Sequence, residues 1–226
     1  INHEIDKGAT LVSLIPSMAR RLLDNRSGRK FPKNFKGMII GGDSCSKNLL
    51  KELMTYNIPI YKVYGMTESC SGICGFWVTQ YPEMLNSVGK PFKNTKITID
   101  NSIINIEGPT ITPYNHDSQP TNGLFKTSDT GYFKNKFLFI NGRVDDMVIS
   151  GGENISLSQI KNILMNHKKI KNVHLVTEKD DSYGDKIIAY VALKEDISVS
   201  NILNFCTEYL PKNKLPHEIE IVEDIL

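Results

Sequence analysis

The sequence predicts an α/β unit followed by a smaller α+β unit. Three observations carry that expectation. From Leu11 to Tyr64, apolar strand-like runs alternate with apolar residues at helical spacing, the rhythm of a parallel sheet with crossover helices. From Lys96 to Ile140, short strands are separated by polar turns, which reads as a small antiparallel barrel or sheet. A charged, glycine-bearing junction, Gly142 to Ile155, then leads into two amphipathic helices and three strands. The 226 residues suffice for one large domain or two modest ones.

Leu11 to Ile15 is a nearly continuous apolar run and reads as a buried strand. Pro16 opens a helix, where its missing N–H costs nothing. Leu22 and Leu23 fall one turn after Met18 and Ala19 and give that helix an inner face. Met38 to Ile40 is a second buried strand, ended by Gly41-Gly42. Ser46 caps a helix whose Leu49, Leu50, Leu53 and Met54 share a face. Pro59 to Tyr64 is the third strand.

Ligands of open parallel sheets lie beyond the carboxyl ends of the strands. Two polar loops sit there: Gly41-Gly42-Asp43-Ser44 and Gly65-Met66-Thr67-Glu68-Ser69. Tyr64 offers a flat face to a base, and Gly65 lets the chain turn tightly beside it. Thr67 offers a hydroxyl to a phosphate. Glu68 offers the hard oxygen that Mg²⁺ prefers while it also holds a nucleotide's phosphates. The alternative makes Tyr64 a core residue, Thr67 the cap of a following helix and Glu68 a stabiliser of that helix's N-terminus. Residue types alone leave both open.

Lys96 to Asp100 and Ile103 to Glu107 alternate apolar and polar residues about Asn101-Ser102, a hairpin with one buried face. Leu124 to Lys126, Tyr132 to Phe133 and Phe137 to Ile140 are further short strands, and the three-proline loop Pro109 to Asn122 is expected to be exposed. Asp129, in Thr-Ser-Asp-Thr-Gly, either accepts both hydroxyls of a ribose or makes an Asx turn before Gly131. The junction pairs Arg143 with Asp145 or Asp146, crosses the apolar run Met147 to Ile149 and closes on Gly151-Gly152. Adjacent glycines let a ligand approach the backbone; the plainer reading is a hairpin with a Gly-Gly turn and a solvated salt bridge. Beyond it, Ser156 starts a helix with Leu157, Ile160 and Leu164 on one face. Val173 to Thr177 and Lys186 to Leu193 are strands, Ile202 to Tyr209 holds a second helix, and Ile219 to Val222 is a last strand. Lys168-Lys169-Ile170-Lys171 reads as a solvated helix end rather than a CoA-phosphate site.

A net charge of +2 gives no electrostatic argument for nucleic acid or an anionic membrane. No apolar run approaches transmembrane length, and the polar first residues lack a secretory leader. The chain starts without Met and reads as a fragment or a processed product. Cys45, Cys70, Cys74 and Cys206 lack zinc-knuckle spacing. Buried free thiols in a reducing cytoplasm are expected instead.

Tyr64-Gly65-Met66-Thr67-Glu68 resembles the Tyr-Gly-x-Thr-Glu motif of the adenylate-forming superfamily of acyl-CoA synthetases, luciferases and adenylation domains. Gly142-Arg143-Val144-Asp145-Asp146 is similar to that family's Gly-Arg-x-Asp-Asp hinge, and Gly151-Gly152-Glu153-Asn154-Ile155 to the glycine-rich loop after it. Thr127-Ser128-Asp129 falls where the family has Thr-Gly-Asp; a Ser in place of that Gly would be strained if the position needs a positive φ. Order and spacing agree over essentially the whole chain. Within the family, Ile58 to Gly72 and Ile149 to Ile155 are most similar to the o-succinylbenzoate–CoA ligases of menaquinone biosynthesis.

The resemblance implies that residues 1–144 are the C-terminal part of a large adenylation domain, a parallel α/β sheet plus a small β-barrel. Residues 145–226 would be a small α+β lid. It implies an AMP-forming ligase that uses ATP, Mg²⁺ and CoA on a small carboxylic acid, with no nucleic acid and no membrane insertion. The other readings are a ligase for a different aromatic or fatty acid, and a nucleotide-binding fragment without catalysis. Carried over, Tyr64 stacks on adenine, Gly41, Gly42, Asp43 and Ser44 line the nucleotide with Gly65 and Met66, and Thr67 contacts the α-phosphate. Glu68 holds Mg²⁺, Asp129 and Arg143 hold the ribose, and Asp145 is the hinge. Gly151, Gly152 and Glu153 face CoA. Ile15, Ser17, Cys70, Ser71 and Gly72 are acyl-pocket candidates. The family's Ser/Thr/Gly-rich phosphate loop and its Pro-x-Thr-x-x-Gly-Lys lysine segment have no counterpart between Ile1 and Leu226. The 226-residue chain by itself is therefore expected to be inactive, and to self-associate, as a homo-oligomer or in poorly soluble form, through the apolar face of its first unit.

Overall fold

A computed structural model describes residues 1–114, 121–180 and 182–225. The chain divides into two compact units, Ile1–Ile140 and Asn141–Leu226.

The first unit opens with a short helix, α1 (Asn2–Asp6), and continues through β1 (Leu11–Leu14), α2 (Pro16–Arg26), β2 (Gly37–Ile40), α3 (Lys47–Met54) and β3 (Ile60–Met66). β1, β2 and β3 are parallel neighbours, in register from Leu11↔Gly37 and Met38↔Ile60. Pro16 takes the first helical position of α2, and Ser46 Oγ accepts the Leu49 N–H at 3.2 Å to cap α3. Two further strands, β4 (Ser71–Trp77) and β5 (Lys90–Pro91), extend the sheet in the order β1-β2-β3-β4-β5. Both pair antiparallel. For β4 the reason is distance along the chain: Thr67 to Cys70 is too short for the crossover a parallel neighbour requires.

Two expectations for β1 and α2 are corrected. Leu11 is 54% exposed and Met18 40% exposed. β1 is the end strand of the sheet and its residues alternate between exposed and covered, so an apolar run is not buried on both faces. α2 turns Ala19, Leu22, Leu23 and Arg26 inward instead. Arg26, unforeseen from the sequence, is almost wholly buried. It donates to Asn2 Oδ1 at 2.8 Å, Asp6 Oδ1 at 3.2 Å and Lys30 O at 2.7 Å, and lies over the Phe31 ring. This network ties α1 and the chain after α2 to the helix, and saturates a charge that would be costly if unpaired.

Next come β6 (Lys96–Asp100), β7 (Ile103–Glu107), β8 (Leu124–Lys134) and β9 (Phe137–Arg143), a four-stranded sheet in that order. Asn101 and Ser102 both have positive φ (48° and 67°) between β6 and β7, the two-residue hairpin turn expected there. β8 merges two expected short strands, and it carries a bulge: Ile103 pairs with Thr130 but Asn105 with Lys126. Of the expected exposed loop Pro109 to Asn122, residues 115–120 lie outside the described residues. Ile73, Cys74, Ile104, Ile106 and Leu138 form a core between these strands and the first sheet, beside the larger cluster around Leu50 and Ile60.

The second unit contains β10 (Met147–Ser150), β11 (Glu153–Ser156), α4 (Leu157–Met165), β12 (Ile170–Asp180), β13 (Gly184–Leu193), α5 (Val199–Thr207) and β14 (Glu218–Val222). Its sheet runs β11-β10-β13-β12, with β14 parallel to β13. Ser156 Oγ accepts the Gln159 N–H and caps α4 as expected. Ile160, Leu164, Ile202 and Cys206 pack both helices onto Val173, Ala189 and Val191. Among the described residues, no helix is long and apolar enough to cross a membrane.

Candidate functional site

In the first unit the carboxyl ends of β1, β2 and β3 meet at three glycines whose lack of a side chain is required by packing. A Cβ on Gly41 would lie 2.5 Å from Val63 Cγ1, one on Gly72 2.4 Å from Val63 Cγ2, and one on Gly65 1.9 Å from Ser71 O. Val63 fills the space between them. Above this floor is a groove of about 560 Å³. Ile15, Gly41, Gly42, Gly65, Met66, Thr67, Ser71 and Gly72 all line it, so the expected nucleotide and acyl residues share one cavity. Ser13, Leu14, Met18 and Val63 line it too. Ser13 and Val63 sit inside strand-like runs with no motif around them, so nothing in the sequence singled them out. Ser17, Asp43, Ser44, Tyr64, Glu68, Cys70 and Asp129 are not among its lining residues.

Tyr64 sits between Val63 and Gly65 on β3, and strand alternation turns it away from the groove floor. Its hydroxyl donates to Asp129 Oδ2. Asp129 lies buried in the interior of β8. Its own N–H donates to Thr127 Oγ1 at 2.9 Å, and that hydroxyl donates to Ile104 O at 2.9 Å. The Asx-turn alternative for Asp129 is overturned, because the strand runs on through Gly131 and Thr127 supplies the side-chain acceptor. Ser128 is not among the positive-φ residues, so replacing the family's glycine brings no left-handed strain there.

The helix-cap alternative for Thr67 and Glu68 also fails. No helix follows beyond a single 3₁₀ turn, Thr67–Ser69, which leads directly into β4. Ser69, missed in the sequence, stabilises that turn: its hydroxyl accepts the Met66 N–H at 3.1 Å and donates to Ser71 O at 2.8 Å. Cys70 (φ 54°) and Ser71 (φ 134°) then take positive φ without being glycine, a costly conformation found preferentially at ligand sites. Thr67 is exposed and Glu68 half-buried. The backbone carbonyl of Glu68 accepts the Thr112 N–H at 2.7 Å. Asp43 Oδ1 accepts the Ser44 N–H at 2.6 Å and shapes the first loop.

Burial pushes the thiols up, Cys45 to about 11, Cys74 to about 12 and Cys206 to about 11, as expected of inert buried thiols. Cys70 is the exception to the expected burial and is exposed, because the left-handed turn carries it outward. Lys62, also unforeseen, is buried in β3 and donates to Leu85 O at 2.9 Å; desolvation holds its ammonium below the ordinary lysine value.

In the second unit, Arg143 makes a forked pair with Asp145, Nε to Oδ1 at 2.8 Å and Nη2 to Oδ2 at 2.6 Å, both side chains exposed. Asp145 lies in a 3₁₀ turn, Val144–Asp146, and Asp146 accepts from Ser158 Oγ. Gly142 has no room for a side chain, since a Cβ would lie 2.2 Å from Ser156 Oγ. Gly151 and Gly152 (φ 58° and 81°) close the β10–β11 hairpin between Ser150 and Glu153, with open space around them. The stretch thus folds as a Gly-Gly hairpin with a solvated ion pair. Glu153 is exposed beside the turn. Among the described residues no group of three or more His, Cys, Asp or Glu could hold a metal ion.

The AMP-binding enzyme family matches residues 4–103, and the AMP-binding enzyme C-terminal domain matches residues 159–226. The chain belongs to the AMP-binding enzyme family. It is 31% identical to 2-succinylbenzoate–CoA ligase of Bacillus anthracis, over 97% of this chain and 49% of that one. The Bacillus cereus (strain Q1) ligase is similar at 30%, with the same coverage. The chain therefore spans about half the length of the curated relatives it matches. Among solved structures, it superposes on o-succinylbenzoate CoA synthetase of Bacillus subtilis in complex with the acyl-adenylate intermediate OSB-AMP. The TM-score is 0.83 at 28% identity, over 99% of this chain and 50% of that one. An amide bond synthetase of Marinactinospora thermotolerans shares the fold, with a TM-score of 0.85 at 18% identity, over 98% of this chain and 50% of that one. For an AMP-binding enzyme, the turn Thr67–Ser69 at the end of β3 and the Gly41-Gly42 loop at the end of β2 are on the expected edge of the sheet.

Proposed function

We propose that this chain is part of an ATP-dependent carboxylate–CoA ligase that works through an acyl-adenylate, with o-succinylbenzoate as its acid. The observation that carries the reading is the shared groove, where Gly41, Gly42, Gly65, Met66 and Thr67 meet Ile15, Ser71 and Gly72. A reaction that joins an acid to a nucleotide needs both partners within one cavity. The acid's oxygen attacks the α-phosphorus of ATP and pyrophosphate leaves. The thiol sulfur of CoA then attacks the acyl carbon, and AMP leaves with the oxygen. AMP is a far better leaving group than oxide, which is why the acid is first adenylated.

In this reading Tyr64 stacks on adenine, and Gly41 to Ser44 line the nucleotide with Gly65 and Met66. Asp129 and Arg143 take the ribose hydroxyls, and Thr67 contacts the α-phosphate. Ile15, Ser17, Cys70, Ser71 and Gly72 shape the acid's pocket. Glu68 fits a Mg²⁺ ion shared with ATP phosphates, which needs one or two carboxylates rather than a protein cage; when bound, that ion offsets phosphate charge. Residues 1–144 belong to the large adenylation domain and 145–226 to a lid that pivots at Asp145 and brings Gly151, Gly152 and Glu153 to CoA. The buried, unreactive thiols fit a cytoplasmic setting.

Thiol-dependent AMP release by the intact enzyme, screened over aromatic, keto and fatty acids, tests the reading. Preference for o-succinylbenzoate supports it; a preference for another acid moves the substrate and keeps the chemistry. AMP binding with no acid-dependent turnover leaves a nucleotide-binding module.

A further inference from the structure

We propose that Thr127 is a positioning residue for ribose recognition: its hydroxyl holds the β8 bulge that presents the Asp129 carboxylate to Tyr64. The inference rests on the reading of Asp129 as the ribose acceptor and adds a residue to which that reading gives no role.

The register supplies the first part of the argument. Ile103 pairs with Thr130 and Asn105 with Lys126, so Thr127, Ser128 and Asp129 together face Ile104. Such a bulge removes backbone groups from the ladder and re-aims side chains. A buried N–H left without a partner is costly. Thr127 Oγ1 answers that need. It accepts the Asp129 N–H at 2.9 Å and passes its own hydrogen to Ile104 O at 2.9 Å; the Asp129 carbonyl, at 3.3 Å, is the weaker second acceptor. Thr127 is itself buried, so water does not compete for these bonds.

The second part is what the bulge achieves. Side chains alternate along a strand with period two, and a slip of one residue turns each to the other face. Held by Thr127, Asp129 faces Tyr64 and receives its hydroxyl hydrogen at Oδ2. A carboxylate offers about four acceptor sites, and the bond from Tyr64 orients the group. A vicinal diol would then meet a carboxylate fixed at the backbone by Thr127 and at one oxygen by Tyr64.

The test compares AMP with 2′,3′-dideoxy-AMP by calorimetric titration of the full chain. Wild type is expected to prefer AMP by about tenfold or more, the range for a hydrogen-bonded charged acceptor. Thr127→Val, which keeps the shape and removes the hydroxyl, is expected to lose most of that preference, as Asp129→Ala does. Its affinity for the dideoxy ligand should stay within about twofold. Thr127→Ser should restore the preference. If Thr127→Val does not fold, Thr127→Cys, a near-isostere with a weak donor and acceptor, should show a partial loss that Ser does not. A Thr127→Val chain that keeps the wild-type preference, or that loses both ligands equally, overturns the inference while leaving Asp129 in place. Wild type binding the two ligands alike overturns the ribose role of Asp129 and the inference with it.

Discussion

Burial of Lys62 makes the stability of this chain depend on pH. Its ammonium is buried, and desolvation lowers its affinity for a proton. The unfolded chain therefore keeps this proton at pH values where the folded chain has released it. The penalty on folding is full below the lowered folded value and fades as pH rises to the ordinary lysine value, about 10.5. The melting temperature of Lys62→Met relative to wild type is therefore expected to be higher near pH 7 than near pH 10. Parallel thermal melts read this directly, and a constant difference across that range would deny the buried charge. Glu68 makes the opposite kind of prediction, because the role proposed for it lies in catalysis. Glu68→Gln in the intact ligase should slow Mg²⁺-dependent pyrophosphate exchange by about 2–4 kcal/mol of transition-state stabilisation. Its melting temperature should barely change, and near-normal exchange would remove the metal role.

At the scale of elements, two turns carry the proposed chemistry and they differ in kind. The β3–β4 turn is closely packed and bonded: Gly65 admits no Cβ, Ser69 binds both flanks, and Cys70 and Ser71 accept positive φ. The junction before β10 is a single 3₁₀ turn, Val144–Asp146, whose Asp145 pairs with Arg143 in the open. A pivot belongs in such a segment, because a few terminal residues must absorb a change in φ and ψ. Asp145→Pro fixes φ at about −65° and removes the N–H. In the intact ligase it should leave adenylate formation near wild type and depress thioester formation by at least tenfold, as roughly 1.4 kcal/mol of lost lid closure would. Separate pyrophosphate-exchange and CoA-dependent assays distinguish the steps, and an equal fall in both would make Asp145 structural.

At the scale of the molecule, each unit has its own core, yet the first leaves Leu11, Ile15 and Met18 exposed. Apolar surface of that sort favours association. The 226-residue chain alone should elute larger than a monomer, and Leu11→Lys with Met18→Lys should shift it toward one. It should also show no measurable pyrophosphate exchange, since no Pro-x-Thr-x-x-Gly-Lys segment occurs within it and charge developing on the reacting groups would lack that cation. AMP affinity should survive in weak form. Turnover comparable with an intact ligase would assign the role to another cation, with exposed Lys212 and half-buried Lys214 on their 3₁₀ turn the first to replace.

By itself the sequence determined the local and the periodic. Helix caps at Ser46 and Ser156, the hairpin at Asn101-Ser102, the parallel order of the first three strands and the motif positions all follow from neighbouring residues. Backbone propensity and side-chain spacing act over a few positions, so one chain segment carries its own answer. Tertiary structure decided whatever depends on a partner distant in sequence. Whether Leu11 is buried depends on its strand being last in the sheet. Whether Gly41 and Gly72 serve packing or a ligand depends on Val63 standing between them. Lys62 and Arg26 are buried because remote carbonyls and carboxylates receive them. Asp129 meets Tyr64 because a bulge opposite Ile104, held by Thr127, turns it inward; a pairwise register between strands is written in neither strand alone.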